Sequence, residues 1–187
     1  MMAVPEHLEA QLGPIDSGWS RNAGGENMPF QVVRFRDVPF ENCDTYTTLG
    51  LSNFALSSPS SGKEIRLELL MLSRPDSQQG IPGLLQQASL ESISTGTACL
   101  RGDVVGPRTR LWPHSSMSAL YVTAPAYFPD AFASCRTRTL GDIIFAWLVP
   151  ISANEASLAA ALGWSAFEDR LEAQDPDLLD PLRPDIS

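Results

Sequence analysis

Ile143-Ile144-Phe145-Ala146-Trp147-Leu148-Val149-Pro150-Ile151-Ser152-Ala153-Asn154-Glu155 carries two structural signals in succession. The run up to Val149 is the most apolar in the chain. A membrane-spanning helix needs roughly 20 such residues, so this much shorter run reads as a buried strand that Pro150 ends. Ser152 and Glu155 then stand three apart, the spacing of a capping box, in which each side chain satisfies an orphan N–H at a helix start. Gly163 is placed to close that helix. Ser165-Ala166-Phe167-Glu168 repeats the box and predicts a second helix to about Gln174. A buried strand followed by a helix pair therefore ends the globular part of the chain.

Upstream, short strands dominate. Phe30–Arg36 puts Val33 and Phe35 on one face and Arg34 and Arg36 on the other. A second strand is expected over Tyr46–Leu56, with Gly50 at a bulge or close backbone approach. A third spans Lys63–Leu72, where apolar residues alternate with Arg66 and Glu68 before the pattern becomes wholly apolar. It should pass from a wetted edge into a two-sided core. Consecutive strands usually neighbour one another, so these three form a meander. Ile81, Leu84, Leu85, Ala88 and Ile93 recur at helical spacing, and a strand follows at Met117–Ala124. Before all of these, Val4–Gly13 reads as a helix with Pro5 in its first turn, and the stretch to Pro29 as a loop. The fold expected is a single α+β domain with a largely antiparallel sheet flanked by helices. Residues 1–29 form an N-terminal helix and loop, 30–174 the domain proper, and 175–187 an acidic, flexible tail.

Composition bounds the function. The chain has 187 residues, 43% of them apolar, with 13 basic against 22 acidic residues and a net charge of −9. A chain of this length hides roughly 70% of its unfolded surface, enough for a core without staples. An acidic surface repels phosphate, which argues against nucleic-acid binding and against an anionic membrane. The N-terminus lacks a cationic segment followed by an apolar run, so no secretory signal is read. Cys43, Cys99 and Cys135 are too widely spaced for a disulfide framework or a metal pair and suit free thiols in the cytoplasm.

No catalytic set, metal site or cofactor motif stands out. His7 is expected to be solvated on its helix, and Cys43 to be exposed in a polar loop. His114, with Asp130 or Asp142, is the one arrangement that suggests a small enzyme. Binding has more material. Arg108, Arg110, Trp112, His114, Tyr127 and Phe128 are of the types that anchor protein interfaces and lie close in sequence. Asp175, Asp177 and Asp180 add an acidic tail suited to steering a basic partner. From Trp164 onward seven acidic and two basic residues give a net of −5. Self-association as a regulatory subunit is a further reading of the Trp112–Phe128 region. The oligomeric state is not legible.

The order of features resembles the suppressor of fused domain in its bacterial form. The residues that carry the resemblance are Thr47-Thr48-Leu49-Gly50-Leu51-Ser52, then Arg66-Leu67-Glu68-Leu69-Leu70-Met71, then Ile144 to Glu155, spread over roughly residues 30–175. The resemblance implies a mixed sheet with packed helices, and protein binding rather than catalysis. Animal relatives grip a transcription-factor peptide between two domains; this chain resembles one of them, so that clamp does not carry over. Bacterial members imply an immunity protein that neutralises a partner toxin, and the charge of −9 suits a basic one.

Overall fold

The computed structural model describes residues 2–187. In chain order its elements are helix α1 (Val4–Leu12), strands β1 (Ser17–Arg21), β2 (Asn27–Phe35), β3 (Asp44–Leu49), β4 (Leu56–Ser57), β5 (Glu64–Ile65) and β6 (Leu67–Ser73), helix α2 (Ile81–Thr95), strands β7 (Val104–Val105), β8 (Met117–Thr123), β9 (Ser134–Thr137) and β10 (Gly141–Ser152), and helices α3 (Ala153–Leu162) and α4 (Trp164–Gln174). The main sheet runs β1-β2-β3-β6-β10-β8-β7, with β9 also on β10, and β4-β5 form a separate ribbon. Among the described residues of the main sheet only β6 and β10 pair in parallel, so the sheet is mixed and mostly antiparallel, and the expected meander is β2-β3-β6.

The apolar run lies in β10, where β6 takes one edge at Ile144–Trp147 and β9 and β8 share the other. Pro150 does not end this strand. β10 continues through it to Ser152, pairing with β8. The β6 ladder has already stopped at Trp147, and the Pro150 carbonyl accepts Arg183 Nη2 at 3.2 Å on that side. Beyond the last β6 pair a missing N–H costs no ladder bond, the condition under which proline is tolerated in a strand.

Both faces of the sheet are covered. On one, Val33, Phe35, Trp147, Val149 and Ile151 meet Leu8 of α1, Ala156 and Ala159 of α3, and Phe167 of α4. On the other, Tyr46, Leu67, Leu69 and Leu148 meet Ile81, Leu85 and Ala88 of α2. Two-sided burial is why β6 is buried throughout and loses its alternation.

Glu68 belongs to this interior, not to the polar face its spacing suggested. It is fully buried, and its carboxylate accepts the backbone N–H groups of Gly50, Leu51 and Ser52 and the hydroxyls of Thr48 and Ser52. The chain can wrap the carboxylate because β3 stops at Leu49 and Gly50 turns at φ +108° into a three-ten turn over Leu51–Asn53. At that φ a side chain is strained. Two of the stretches that carry the family resemblance are thus one hydrogen-bonded unit.

Four other expectations are revised. Residues 13–29 are not all loop, because β1 pairs with β2 and lays Trp19 against Tyr46 at 5.8 Å. His7 is buried and stacks on Phe145 at 5.2 Å, with Nε2 3.4 Å from the Phe132 carbonyl. Cys43 is buried, and burial, with Asp44 beside it, pushes its thiol up to about 12. The segment after α4 returns along the body, with Leu179, Arg183 and Ile186 buried.

Candidate functional site

The interface-type residues grouped by sequence do not form one patch, because the sheet divides them. Arg108 lies on the α2 side, ion-paired with Glu91, over a hollow of only about 20 Å³ lined by Leu84, Ala88 and Leu120. That is room for about one water. Arg110 and His114 are exposed on the same long loop, His114 at a φ of +63°. Asp142 is paired with Arg136 at 3.3 Å, and no hydrogen bond joins His114 to Asp130 or Asp142 among the described residues. Trp112 donates Nε1–H to the Gln79 carbonyl at 2.7 Å and packs against the core cluster on the α2 side. Phe128 is core, stacked on Phe132 at 4.3 Å. Only Tyr127 reaches the opposite face with its ring open.

There it meets the acidic segment. A groove of about 450 Å³ has Thr123, Trp147 and Val149 as its floor, since Trp147 is the cross-strand partner of Thr123. Tyr127, from the turn after β8, forms one side. Leu171 and Glu172 of α4 form another, and Asp175, Pro176 and Leu178 close the end. Tyr127 keeps 40% exposure while its ring rests 4.9 Å from that of Trp147 and 5.8 Å from that of Phe40, itself 44% exposed. Two broader depressions flank α2, one lined by Gln86, Gln87 and Leu90 and the other by Ser92, Ala98 and Val104, but neither holds an aromatic ring.

The rim is electrostatically sorted. Glu168 does not cap α4, whose N-cap is Gly163 without a side-chain bond. It accepts Arg101 Nε at 3.1 Å on both oxygens, Thr123 Oγ1 at 2.9 Å and the Tyr121 hydroxyl at 3.1 Å. Burial would raise its pKa, but these hydrogen bonds outweigh burial and hold it below the ordinary carboxylate value. Arg101 also lies 4.5 Å over the Trp164 ring. Asp177 is held by Arg74 at 2.6 Å, and Asp180 accepts the Leu182 N–H at 2.8 Å. Asp175, in the left-handed region at φ +43°, and Glu172 carry no ion pair among the described residues. Of the binding candidates named from the sequence, the fold brings Tyr127 and Asp175 together, while Phe40, Trp147, Leu171 and Glu172 were not among those candidates. Phe40 follows Pro39 in an otherwise polar turn, and an aromatic ring there was the one local signal available.

No group of three or more His, Cys, Asp or Glu side chains able to hold a metal occurs among the described residues. No helix among them is long and apolar enough to cross a membrane.

The family model for Suppressor of fused protein (SUFU) matches residues 26–184, and the chain belongs to that family. It is 21% identical over 170 residues to the immunity protein YqcF of Bacillus subtilis, covering 90% of this chain and 85% of that protein. A crystal structure of a SUFU homologue from Neisseria gonorrhoeae superposes with a TM-score of 0.69 at 19% identity, over 96% of this chain and 92% of that one. A Sufu–Fu complex structure gives 0.69 at 17% identity, over 98% of this chain and 88% of the other. Suppressor of Fused from Drosophila gives 0.68 at 18% identity over 98% of this chain, which spans 49% of that longer one. At these identities the superpositions establish the fold.

Proposed function

We propose that the protein is a non-catalytic protein-binding module that neutralises a partner protein, in the manner of an immunity protein. The observation that carries this reading is the match to the YqcF immunity protein over 85% of that protein's length. The groove adds a physical basis: an exposed aromatic ring over an apolar floor, with charged groups at its edge, is the composition of an interface core and rim. The Sufu–Fu structure is a protein complex of the same fold. Immunity genes lie beside the toxin genes they answer, which makes the test direct. Each gene flanking this one is expressed in a heterologous bacterium, with and without this protein. The expected result is one toxic neighbour whose growth defect is relieved by co-expression and which co-purifies with the protein at fixed stoichiometry. Neighbours that are all harmless, or a toxicity that co-expression leaves unchanged, would overturn the proposal.

A further inference from the structure

We infer that the groove receives a lysine- or arginine-bearing segment of the partner protein, with the side-chain stem lying on Tyr127 and the cationic head between Glu172 and Asp175. The inference rests on the protein-binding reading above and adds the site and the chemistry of the segment that fills it.

The charges at the groove are unevenly satisfied. Arg101 is the single cation in its lining, and it is already engaged by Glu168 and stacked over Trp164. Arg74 is engaged by Asp177 just outside. Glu172 and Asp175, both exposed, remain without a cationic partner among the described residues. The negative field reaches the aromatic ring, since the Tyr127 pKa is raised first by burial and then by Asp177 and Asp175. An aromatic face open to solvent beside unpaired carboxylates favours a cation with an apolar stem. The stem covers the ring while the head keeps its water and its counter-charges. Trp147 and Phe40 brace the ring, so little side-chain freedom remains to be lost on binding. With about 450 Å³ the groove has room for more than one side chain, and Leu171 and Leu178 offer apolar contact to a neighbour of the basic residue.

The test uses the full chain, labelled with nitrogen-15, and two synthetic peptides of equal length, one alternating lysine and leucine, the other glutamate and leucine. The expected result is that only the lysine peptide shifts the amide signals of Thr123, Tyr127, Leu171 and Glu172. The Glu172→Lys/Asp175→Lys variant, altered at two exposed positions and checked for an unchanged spectrum elsewhere, should bind about tenfold more weakly or worse. Raising the salt from about 0.05 M to about 0.5 M should weaken wild-type binding similarly, since the Debye length then shrinks well below the groove dimensions. Tyr127→Ala should lose several-fold. Equal response to both peptides, shifts centred on Leu84 and Arg108, no shifts, or binding undiminished in the double variant would each overturn the inference. A response to spermidine but not to the lysine peptide would also overturn it, by assigning the groove to a free polyamine. Because the titration needs no natural partner, its failure leaves the growth-rescue result standing, and failed rescue leaves the titration standing.

Discussion

Glu155 binds Arg183 at 2.6 and 2.9 Å while the same carboxylate closes the start of α3 by accepting the Ser152 N–H at 2.9 Å. Both side chains are almost wholly buried, and the Ile186 N–H adds a further bond to Glu155 at 2.9 Å. A helix cap written locally in the sequence is therefore also the anchor of the C-terminal segment. That segment carries Leu178 and Pro176, the end wall of the groove.

Removing one member of a buried ion pair leaves the other charged and unpaired, which typically costs about 3–5 kcal/mol. Arg183→Ala should cost that much in urea unfolding. Replacing both partners, as Glu155→Gln/Arg183→Met, should cost less, because Gln still serves the capping box and no charge is stranded. A loss below about 1 kcal/mol in the single variant would contradict a structural role for the pair.

Glu68 should be equally sensitive. Its two oxygens face only donors, from Thr48, Gly50, Leu51 and Ser52. Glu68→Gln places an NH₂ group against some of them, stranding buried donors at about 1–3 kcal/mol each. Urea unfolding should show a loss of about 2–4 kcal/mol, and hydrogen exchange at Leu51 and Ser52 should accelerate. Wild-type exchange at these amides would contradict the wrapped-carboxylate account.

Acid should weaken the fold through the carboxylates that their partners hold ionised. The Glu168 carboxyl titrates below its ordinary 4.5 when folded, and Asp16, held by Arg34 and Ser17, is lowered to about 2. A depressed carboxyl pKa contributes stability that is fully present above the unfolded value and disappears as the pH falls through the folded one. Melting temperature should therefore drop between about pH 5 and about pH 2, and Glu168→Gln should flatten the upper part of that drop. An unchanged pH profile in the variant would show that its hydrogen bonds to Arg101, Thr123 and Tyr121 contribute nothing to folding.

The parts of the fold legible in the sequence are those with a local code. The apolar run in β10, the Ser152/Glu155 box, the helical spacing of Ile81 to Ile93 and the order of the β2-β3-β6 meander stand as expected, although the second strand ends at Leu49 instead of Leu56 and Glu64–Ile65 pair with β4 outside the main sheet. What escaped depends on distant partners. Ser17–Arg21 is short and polar and becomes a strand only because β2 offers its edge. The same spacing that marks Glu155 as a cap marks Glu168, yet the neighbouring Arg101, Tyr121 and Thr123 draw Glu168 away. Arg183 carries no sign in sequence that a buried carboxylate awaits it. At the groove, proximity along the chain misled: Arg108 and Tyr127 are close in sequence but on opposite faces of the sheet, whereas Tyr127 and Asp175 meet only through the fold.

The most direct test of the central claim, that this is a partner-binding protein, is affinity purification of the tagged protein from its own host, alongside the Glu172→Lys/Asp175→Lys variant, at low and high salt. The account predicts one stoichiometric protein partner with the wild type, greatly reduced by high salt and by the double variant. A wild-type eluate empty of any stoichiometric partner at both salts would contradict it.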